Sequence, residues 1–240
     1  MIVRRTPLGS RHVTQADHAR FGADLLRLFR LPELAGHPRR ELLLRAVGEH
    51  DNGWWEADAA PYRAADGRAA LDFRDVPGEA RREIWRRGIE RFADEGPHLA
   101  ALVATHALRL SDRFCDEPAW SAFRAGASAR RDELLESAGI ELAAVAADDR
   151  WLDLADGLSL AVCTGETGFF AFPGWQIALR ERSPEGEVEL GLAPFPLAGA
   201  TRFELSCRVL APGTYESDAA IGFALATSPW QRLGVRCAPL

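Results

Sequence analysis

The spacing of hydrophobic positions changes near residue 165 and divides the chain into two regions. From residue 14 to about residue 163, apolar residues recur three and four positions apart, which is the spacing of one face of an α-helix. From Gly165 onward, short alternating runs are interrupted by glycine and proline, which is typical of strands and turns. The pattern therefore predicts an α+β fold, with a helical domain over 1–164 and an antiparallel β subdomain over 165–240.

The helical region divides into six predicted helices. The first begins at Thr14, which forms an approximate capping box with Asp17. The second begins at Pro38 and ends at Asn52-Gly53, because proline suits the first turn of a helix and glycine its end. The other four follow the same apolar spacing and cover 78–93, a segment that starts near Pro97, 117–137 and 141–163.

Four short runs in the last third of the chain predict strands. Two of them, 176–181 and 187–192, flank Ser183-Pro184-Glu185-Gly186, a sequence suited to a hairpin turn. The other two cover 203–210 and 221–226. Because so small an antiparallel sheet rarely folds alone, we expect it to pack on the helices.

Charge and composition exclude several classes of function. The 35 acidic and 29 basic residues leave a net charge of −6, which provides no broad basic field for nucleic acid or anionic lipid. All 29 basic residues are arginine, so Schiff-base chemistry and lysine-dependent phosphate loops are excluded. No apolar run approaches a membrane span, and the four cysteines form no Cys-x-x-Cys pair. We therefore expect a cytoplasmic protein with a small-molecule substrate, with neither nucleic acid nor a membrane as partner.

Three histidines and two aspartates lie on the apolar sides of separate predicted helices: His18, His50, Asp51, His106 and Asp156. A lone histidine on such a face is more often a hydrogen-bonded core residue, and an inward aspartate usually caps a helix or pairs with arginine. Together, however, imidazoles and carboxylates on four helices can satisfy one another around a cation, and they suit Mn, Fe, Mg, Ni or Zn. The set therefore predicts a site for a divalent metal ion of open identity.

The order of four of these residues resembles the H…HD…D pattern of the HD-domain superfamily. His18 precedes His50-Asp51, Asp156 follows, and His50 to Trp54 is similar to the HD-x-G signature of that superfamily. The resemblance implies a mainly helical HD-like core, here with a small C-terminal antiparallel sheet added. It also implies that His18, His50, Asp51 and Asp156 bind a divalent metal, usually for phosphoester hydrolysis.

A second resemblance extends over nearly the whole chain. The segments 13–19, 50–55, 71–73 and 84–89 are similar to an uncharacterised bacterial family, a domain of unknown function. This resemblance implies no activity, but it accounts for the C-terminal sheet that an HD core lacks.

Further residues are candidates for catalysis or for a second metal. His106 can act as a general acid or ligate a second ion, and Arg109, three residues later, can clamp a phosphate or carboxylate. His98 is expected at the rim or surface, and Asp72 is a substitute ligand for a second ion. The arginine-rich stretches, 81–91 and 124–131, are expected to be solvated helix faces.

Three functions remain open at the level of sequence. The first is a metal-dependent hydrolase of a small phosphorylated molecule, with His106 and Arg109 assisting. The second uses the same ligands for iron and oxygen, as some HD-type oxygenases do. The third is a non-catalytic ligand-binding or structural protein with the sheet as its interaction surface. The oligomeric state is open as well.

Overall fold

The computed structural model describes residues 1–115, 118–166, 174–181 and 187–240. Within these ranges the strands are β1 (Ile2–Thr6), β2 (Gly9–Val13), β3 (Gln176–Glu181), β4 (Val188–Ala193), β5 (Thr201–Leu210) and β6 (Trp230–Pro239). The helices are α1 (Gln15–Leu28), α2 (Pro32–Ala35), α3 (Arg40–Glu49), α4 (Trp55–Ala59), α5 (Gly78–Glu90), α6 (Pro97–Phe114), α7 (Ala119–Ala138), α8 (Leu142–Thr164) and α9 (Asp218–Thr227). Short 3-10 turns cover Asn52–Trp54 and Phe73–Asp75.

The described strands form one mixed sheet that takes strands from both ends of the chain. Its order is β1-β2-β5-β6-β4-β3, with β4 and β6 parallel and the other neighbours antiparallel. The expectation of a small, purely antiparallel C-terminal sheet is therefore wrong, although the chain is α+β overall. The pattern missed β1 and β2 because each has five residues and carries arginines. The pairing of β2 with β5, with Ser10 opposite Leu210, is not visible along the chain.

The predicted strand over 221–226 is also wrong, because these residues belong to helix α9. Ser217 caps this helix by accepting a hydrogen bond from the backbone N–H of Ala220 at 3.1 Å. A short apolar run such as Ile221–Ala226 has no periodicity that separates a strand from a helix, so its flanking cap decides. The runs 176–181 and 203–210 are strands as predicted, and 187–192 is a strand from Val188 onward. The predicted turn over 183–186 lies outside the described residues.

The predicted helices of the first region are present with shifted ends. Thr14 caps α1 as expected, since its hydroxyl accepts from the backbone N–H of Asp17 at 3.0 Å. Helix α3 begins at Arg40 rather than Pro38, and the short α2 before it was not predicted. The four later helices correspond to α5, α6, α7 and α8. None of the described helices is both long and apolar enough to cross a membrane.

Four helices meet where the two largest apolar clusters of the described residues adjoin. One cluster packs α1, α3 and α8 against the sheet, and it contains Leu25, Leu43 and Leu158. The other packs α5, α6 and α7 together, and it contains Trp85 and Leu102. Helix α1 contacts α3 and α8, and α6 also contacts α3 and α8. The helices that carry the candidate residues therefore surround one centre.

Candidate metal centre

The structure brings His18, His50, Asp51, His106 and Asp156 together in the helical core. His18 lies within α1, His106 within α6 and Asp156 within α8, while His50 is the residue at the end of α3 and Asp51 follows it. All five side chains are buried. His50 and Asp51 are neighbours in the chain, whereas His18, His106 and Asp156 come from three other helices, so the packing of the four helices assembles the cluster.

At two points, the backbones of neighbouring elements around these side chains come into close contact. A Cβ on Gly22 would lie 3.0 Å from the carbonyl oxygen of Ala155, so α1 and α8 meet almost in backbone contact beside His18 and Asp156. A Cβ on Gly53 would lie only 2.1 Å from the carbonyl oxygen of Ile84. Glycine at these two positions therefore allows the helices to hold the cluster at short range.

The imidazole nitrogens of His18 and His50 face the two carboxylates. His18 Nε2 is 3.2 Å from Asp156 Oδ1 and 3.7 Å from Asp51 Oδ2. His50 Nε2 is 3.4 Å from Asp51 Oδ2 and 3.6 Å from Asp156 Oδ1. In the groups His18-His50-Asp51 and His50-His106-Asp156, potential ligand atoms lie within 4.8 Å of one another. These clusters could hold a metal ion.

Hydrogen bonds at the other ring nitrogen orient His18. Ser159 Oγ donates to the carbonyl oxygen of Asp156 at 3.0 Å and lies 2.7 Å from His18 Nδ1. Since the single hydroxyl proton is used on the carbonyl, the hydroxyl oxygen accepts from His18 Nδ1–H. The neutral ring then keeps its lone pair at Nε2, which is the form that binds a metal.

His50 is oriented in the same way by the backbone. Its Nδ1 lies 2.7 Å from the carbonyl oxygen of Val47, which can only accept, so Nδ1 carries a proton. The Nε2 atoms of both His18 and His50 are buried, and neither has a hydrogen-bond partner within the described part of the chain. Both nitrogens face two carboxylates. A cation bound between the nitrogens and the carboxylates would give each of these groups a partner.

His106 has the opposite arrangement at its ring. Arg109 Nη2 lies 2.9 Å from His106 Nδ1, and a guanidinium can only donate, so Nδ1 accepts and the proton of the neutral ring is at Nε2. Burial, together with the positive charges of His50 and Arg109, lowers the pKa of His106 to about 3. His106 therefore presents an N–H to the centre, with Nε2 4.0 Å from Asp51 Oδ1.

The charges of the cluster stabilise one another against the cost of burial. Burial disfavours the protonated form of His50, but Asp51 and Asp156 outweigh it and raise the pKa of His50 to about 10. Burial also opposes ionisation of Asp156, but the neighbouring imidazoles of His18 and His50 hold the pKa of Asp156 well below its ordinary value. In the absence of an ion, a positive charge on His50 thus compensates one of the two carboxylate charges. A bound cation would take over that role.

Arg109 is placed behind His106 and its charge is balanced. Its guanidinium donates to Asp149 Oδ2 at 2.9 Å and to Asp153 Oδ1 at 2.5 Å. Among the described residues, Arg109 thus contacts two carboxylates and His106. The guanidinium orients the His106 imidazole and belongs to a buried network of ion pairs.

A cavity of about 310 Å³ opens beside the centre. Asp51, His106 and Asp156 lie on its wall. The rest of the lining is largely apolar or arginine and comprises Gln15, Trp54, Phe73, Arg74, Arg81, Trp85, Leu110, Arg113, Phe114, Asp153, Gly157 and Leu160. Gln15, Trp85 and Arg81 were not predicted to line a site. Trp85 has the spacing of a core residue, and Arg81 lies in a stretch expected to be solvated.

Two further expectations are corrected by the structure. His98 is buried rather than at the surface, and its Nε2 lies 3.1 Å from Asp148. Asp148 is fully buried and also pairs with His37 and Arg39. Asp72 does not reach the centre, because it accepts from the backbone N–H of Val3 and from its neighbour Arg74. Neither residue is placed as a ligand for a second ion.

Comparison with known proteins finds a family match over most of the chain. The model of the family described as "Protein of unknown function (DUF3891)" matches residues 1–211. This match confirms the expected resemblance to an uncharacterised family. No curated protein and no solved structure matches the chain.

Proposed function

We propose that this chain, which belongs to the DUF3891 family of proteins of unknown function, is a metal-dependent hydrolase of a small phosphorylated molecule. One observation carries the proposal: the Nε2 atoms of His18 and His50 are buried without hydrogen-bond partners among the described residues, and both face Asp51 and Asp156. The order of these four residues resembles that of the HD-domain superfamily, where such a set binds a divalent ion, usually for phosphoester hydrolysis.

The donor set favours some metals over others. Two neutral imidazoles and two carboxylates give nitrogen and oxygen donors with a summed charge of −2, which one divalent cation neutralises. Imidazole donors suit Fe, Ni and Zn, carboxylates suit Mn as well, and Mg prefers oxygen donors alone. When bound, such an ion supplies Lewis acidity toward a phosphoryl oxygen and lowers the pKa of a coordinated water.

The hydrolysis places definite demands on the side chains around the centre. The oxygen of water forms a new bond to phosphorus, the ester P–O bond breaks, and the departing alkoxide takes up a proton that the water releases. His106 stays neutral near pH 7 because its pKa is lowered to about 3, so its role is to donate a hydrogen bond from Nε2–H rather than to deliver a proton as an imidazolium. Arg109 keeps that N–H at Nε2 by donating to Nδ1.

Metal analysis combined with an activity assay tests the proposal. The full chain is purified without added metal, its metal content is measured by mass spectrometry, and release of inorganic phosphate from a panel of phosphate monoesters is followed. We expect a transition metal and phosphate release that a chelator abolishes and that the same metal restores. Iron with substrate-dependent oxygen consumption and no phosphate release would establish the oxygenase alternative. A chain that retains no metal and releases no phosphate would overturn the proposal in favour of a non-catalytic role.

A further inference from the structure

The surface of the cavity beside the centre is mainly apolar. Trp54, Phe73, Trp85, Leu110 and Leu160 contribute to its walls. A ligand rich in hydroxyl groups would lose its hydration there without gaining hydrogen bonds, and this exchange is unfavourable. An apolar group would instead remove hydrocarbon surface from water on both sides of the contact. The walls therefore favour a ligand with an apolar body.

One arginine of the cavity has no acidic partner among the described residues. Arg81 donates from Nη2 to the carbonyl oxygens of Arg74 at 2.8 Å and Val76 at 3.0 Å, and its Nε is buried without a hydrogen bond. Arg113, which lines the same cavity, differs because its guanidinium lies 3.3 Å from Asp153. The positive charge of Arg81 is thus held by neutral carbonyl groups and remains available to an anion.

Two other polar groups at the cavity lack partners within the described residues. Gln15 is 2 % exposed and its Oε1 has no hydrogen bond, and Trp85 is 8 % exposed with its indole nitrogen unbonded. Buried polar groups are nearly always satisfied in folded proteins, so each of these exceptions calls for an explanation. Both atoms are enclosed by protein, so they are polar groups within the wall of the cavity, and the charge that recognises a ligand is that of Arg81.

We propose that this cavity binds an amphipathic anion, with Arg81 contacting the anionic group and the apolar body packed against the aromatic walls. The assignment of the anion as a phosphate monoester of an apolar alcohol rests on the proposed function; the amphipathic character does not. Arg81 is accordingly the residue that selects for charge, and the wall formed by Trp54, Phe73 and Leu160 selects for the apolar body.

Binding of two non-hydrolysable probes tests this inference. Naphthylphosphonate carries an apolar body and methylphosphonate does not, and the dissociation constant of each is measured by calorimetry on the full chain with its metal. We expect naphthylphosphonate to bind at least ~10-fold more tightly, in line with the area that a naphthyl group buries. Equal affinity for the two probes would overturn the assignment of an apolar body.

Variants of Arg81 and Leu160 separate the contribution of the positive charge to binding from that of the apolar wall. Arg81→Met should weaken naphthylphosphonate binding at least ~10-fold, as expected for loss of a charge-assisted hydrogen bond. Arg86→Met removes an exposed arginine of the same helix that does not line the cavity, and it should leave the affinity unchanged. Leu160→Asn should weaken naphthylphosphonate and leave methylphosphonate unchanged. Equal effects of Arg81→Met and Arg86→Met on the affinity would overturn the role of Arg81. If Arg81→Met does not fold, the affinities of Leu160→Asn for the two probes test the site, and equal losses for both probes would overturn it.

Probe binding and phosphate release can succeed or fail separately. If naphthylphosphonate binds as expected but no phosphate monoester is hydrolysed, the hydrolase proposal fails and the amphipathic site stands. If phosphate monoesters are hydrolysed but the two probes bind equally, the hydrolase proposal stands and the amphipathic site is wrong.

Discussion

The hydroxyl oxygen of Ser159 lies 2.7 Å from Nδ1 of His18, although 141 positions separate the two residues in the chain. Ser159 stands three positions after Asp156 in α8, and its hydroxyl proton is used on the carbonyl oxygen of Asp156. The same side chain thus contacts the backbone of one candidate ligand and fixes the ring of another. Such an outer contact orients a metal-binding histidine and selects its tautomer.

We expect Ser159→Ala to weaken metal binding by about 10- to 100-fold while the protein remains folded, because loss of an outer hydrogen bond typically has this effect. The matched control is Ser111→Ala, since Ser111 is also buried and donates to a carbonyl three positions earlier, at Leu108, without touching a histidine. Metal affinity is measured by competition with a chelator of known affinity. Equal losses in the two variants would show that Ser159 acts only through packing.

Removal of the buried carboxylate of Asp51 should affect metal binding, whereas removal of that of Asp148 should affect stability. Asp51→Ala should abolish metal retention and leave a folded chain, since the apolar faces of the helices do not depend on the ion. Asp148→Ala should keep the metal but lower the free energy of unfolding by about 3 kcal/mol, because the buried carboxylate pairs with His37, Arg39 and His98. Metal content and urea unfolding are measured for both variants. Unfolding of Asp51→Ala would indicate a structural role for the centre.

The stoichiometry should be at most one tightly bound metal per chain. Of the two histidines that lie between Asp51 and Asp156 in the sequence, His98 bonds to Asp148 and His106 presents an N–H rather than a lone pair. His106→Asn should therefore retain the metal and reduce turnover, by about 100-fold if the lost hydrogen bond acts in the transition state. Metal per chain and phosphate release provide the measurements. Two ions at full occupancy, with the second lost in His106→Asn, would contradict this prediction.

The turn after Asp51 should not tolerate a side chain at Gly53. A Cβ there would meet the carbonyl oxygen of Ile84 at 2.1 Å, so α5 must move away from the centre. We expect Gly53→Ala to lower the free energy of unfolding by about 1–3 kcal/mol, the range for an overpacked contact, and to weaken metal binding. Gly126→Ala is the control, because a Cβ on this helical glycine would meet no other described part of the chain within 4 Å, apart from the backbone of its own helix. This change should be neutral or stabilising by up to about 1 kcal/mol. Retained stability and metal affinity in Gly53→Ala would show that α5 can shift freely.

Acid should destabilise the protein partly through His12. Burial lowers the pKa of His12 to about 4, and its Nε2 accepts from the backbone N–H of Ala70 at 3.3 Å, so the folded state holds the neutral ring. The unfolded chain has the ordinary pKa of about 6.5 and binds more protons between pH 6.5 and pH 4. The free energy of unfolding should therefore fall as the pH is lowered through this window, by an amount on the order of 3 kcal/mol from this group.

The variant His12→Gln separates this effect from other titrations. It removes the titrating ring while leaving an acceptor for Ala70, so the fall in stability between pH 6.5 and pH 4 should be smaller than in the parent chain by a similar amount. Urea unfolding at pH 7, 6, 5 and 4 measures the difference. Parallel pH profiles for the two proteins would show that His12 does not contribute.

Sequence periodicity predicted the helical part of the fold because each of these helices has its own apolar face and several have local caps. Thr14 at the start of α1 is such a signal, and it is present as expected. The sheet could not be predicted in this way. Strand β1 pairs with β2, and β2 joins the sheet only by pairing with β5, about 200 positions away. The flanking cap at Ser217 overrides the strand-like run at 221–226.

The sequence by itself determined which residue types could meet in the core: His18, His50, His106 and Asp156 lie on apolar helix sides and Asp51 directly follows His50, where buried polar groups need partners. Only the tertiary structure decided what each of them does there. The proton position on His18 depends on Ser159, that on His106 depends on Arg109, and the unbalanced charge of Arg81 depends on which acids lie near it. Periodicity assigns a side chain to a face, whereas hydrogen bonds and ion pairs between distant helices form only after those faces have packed.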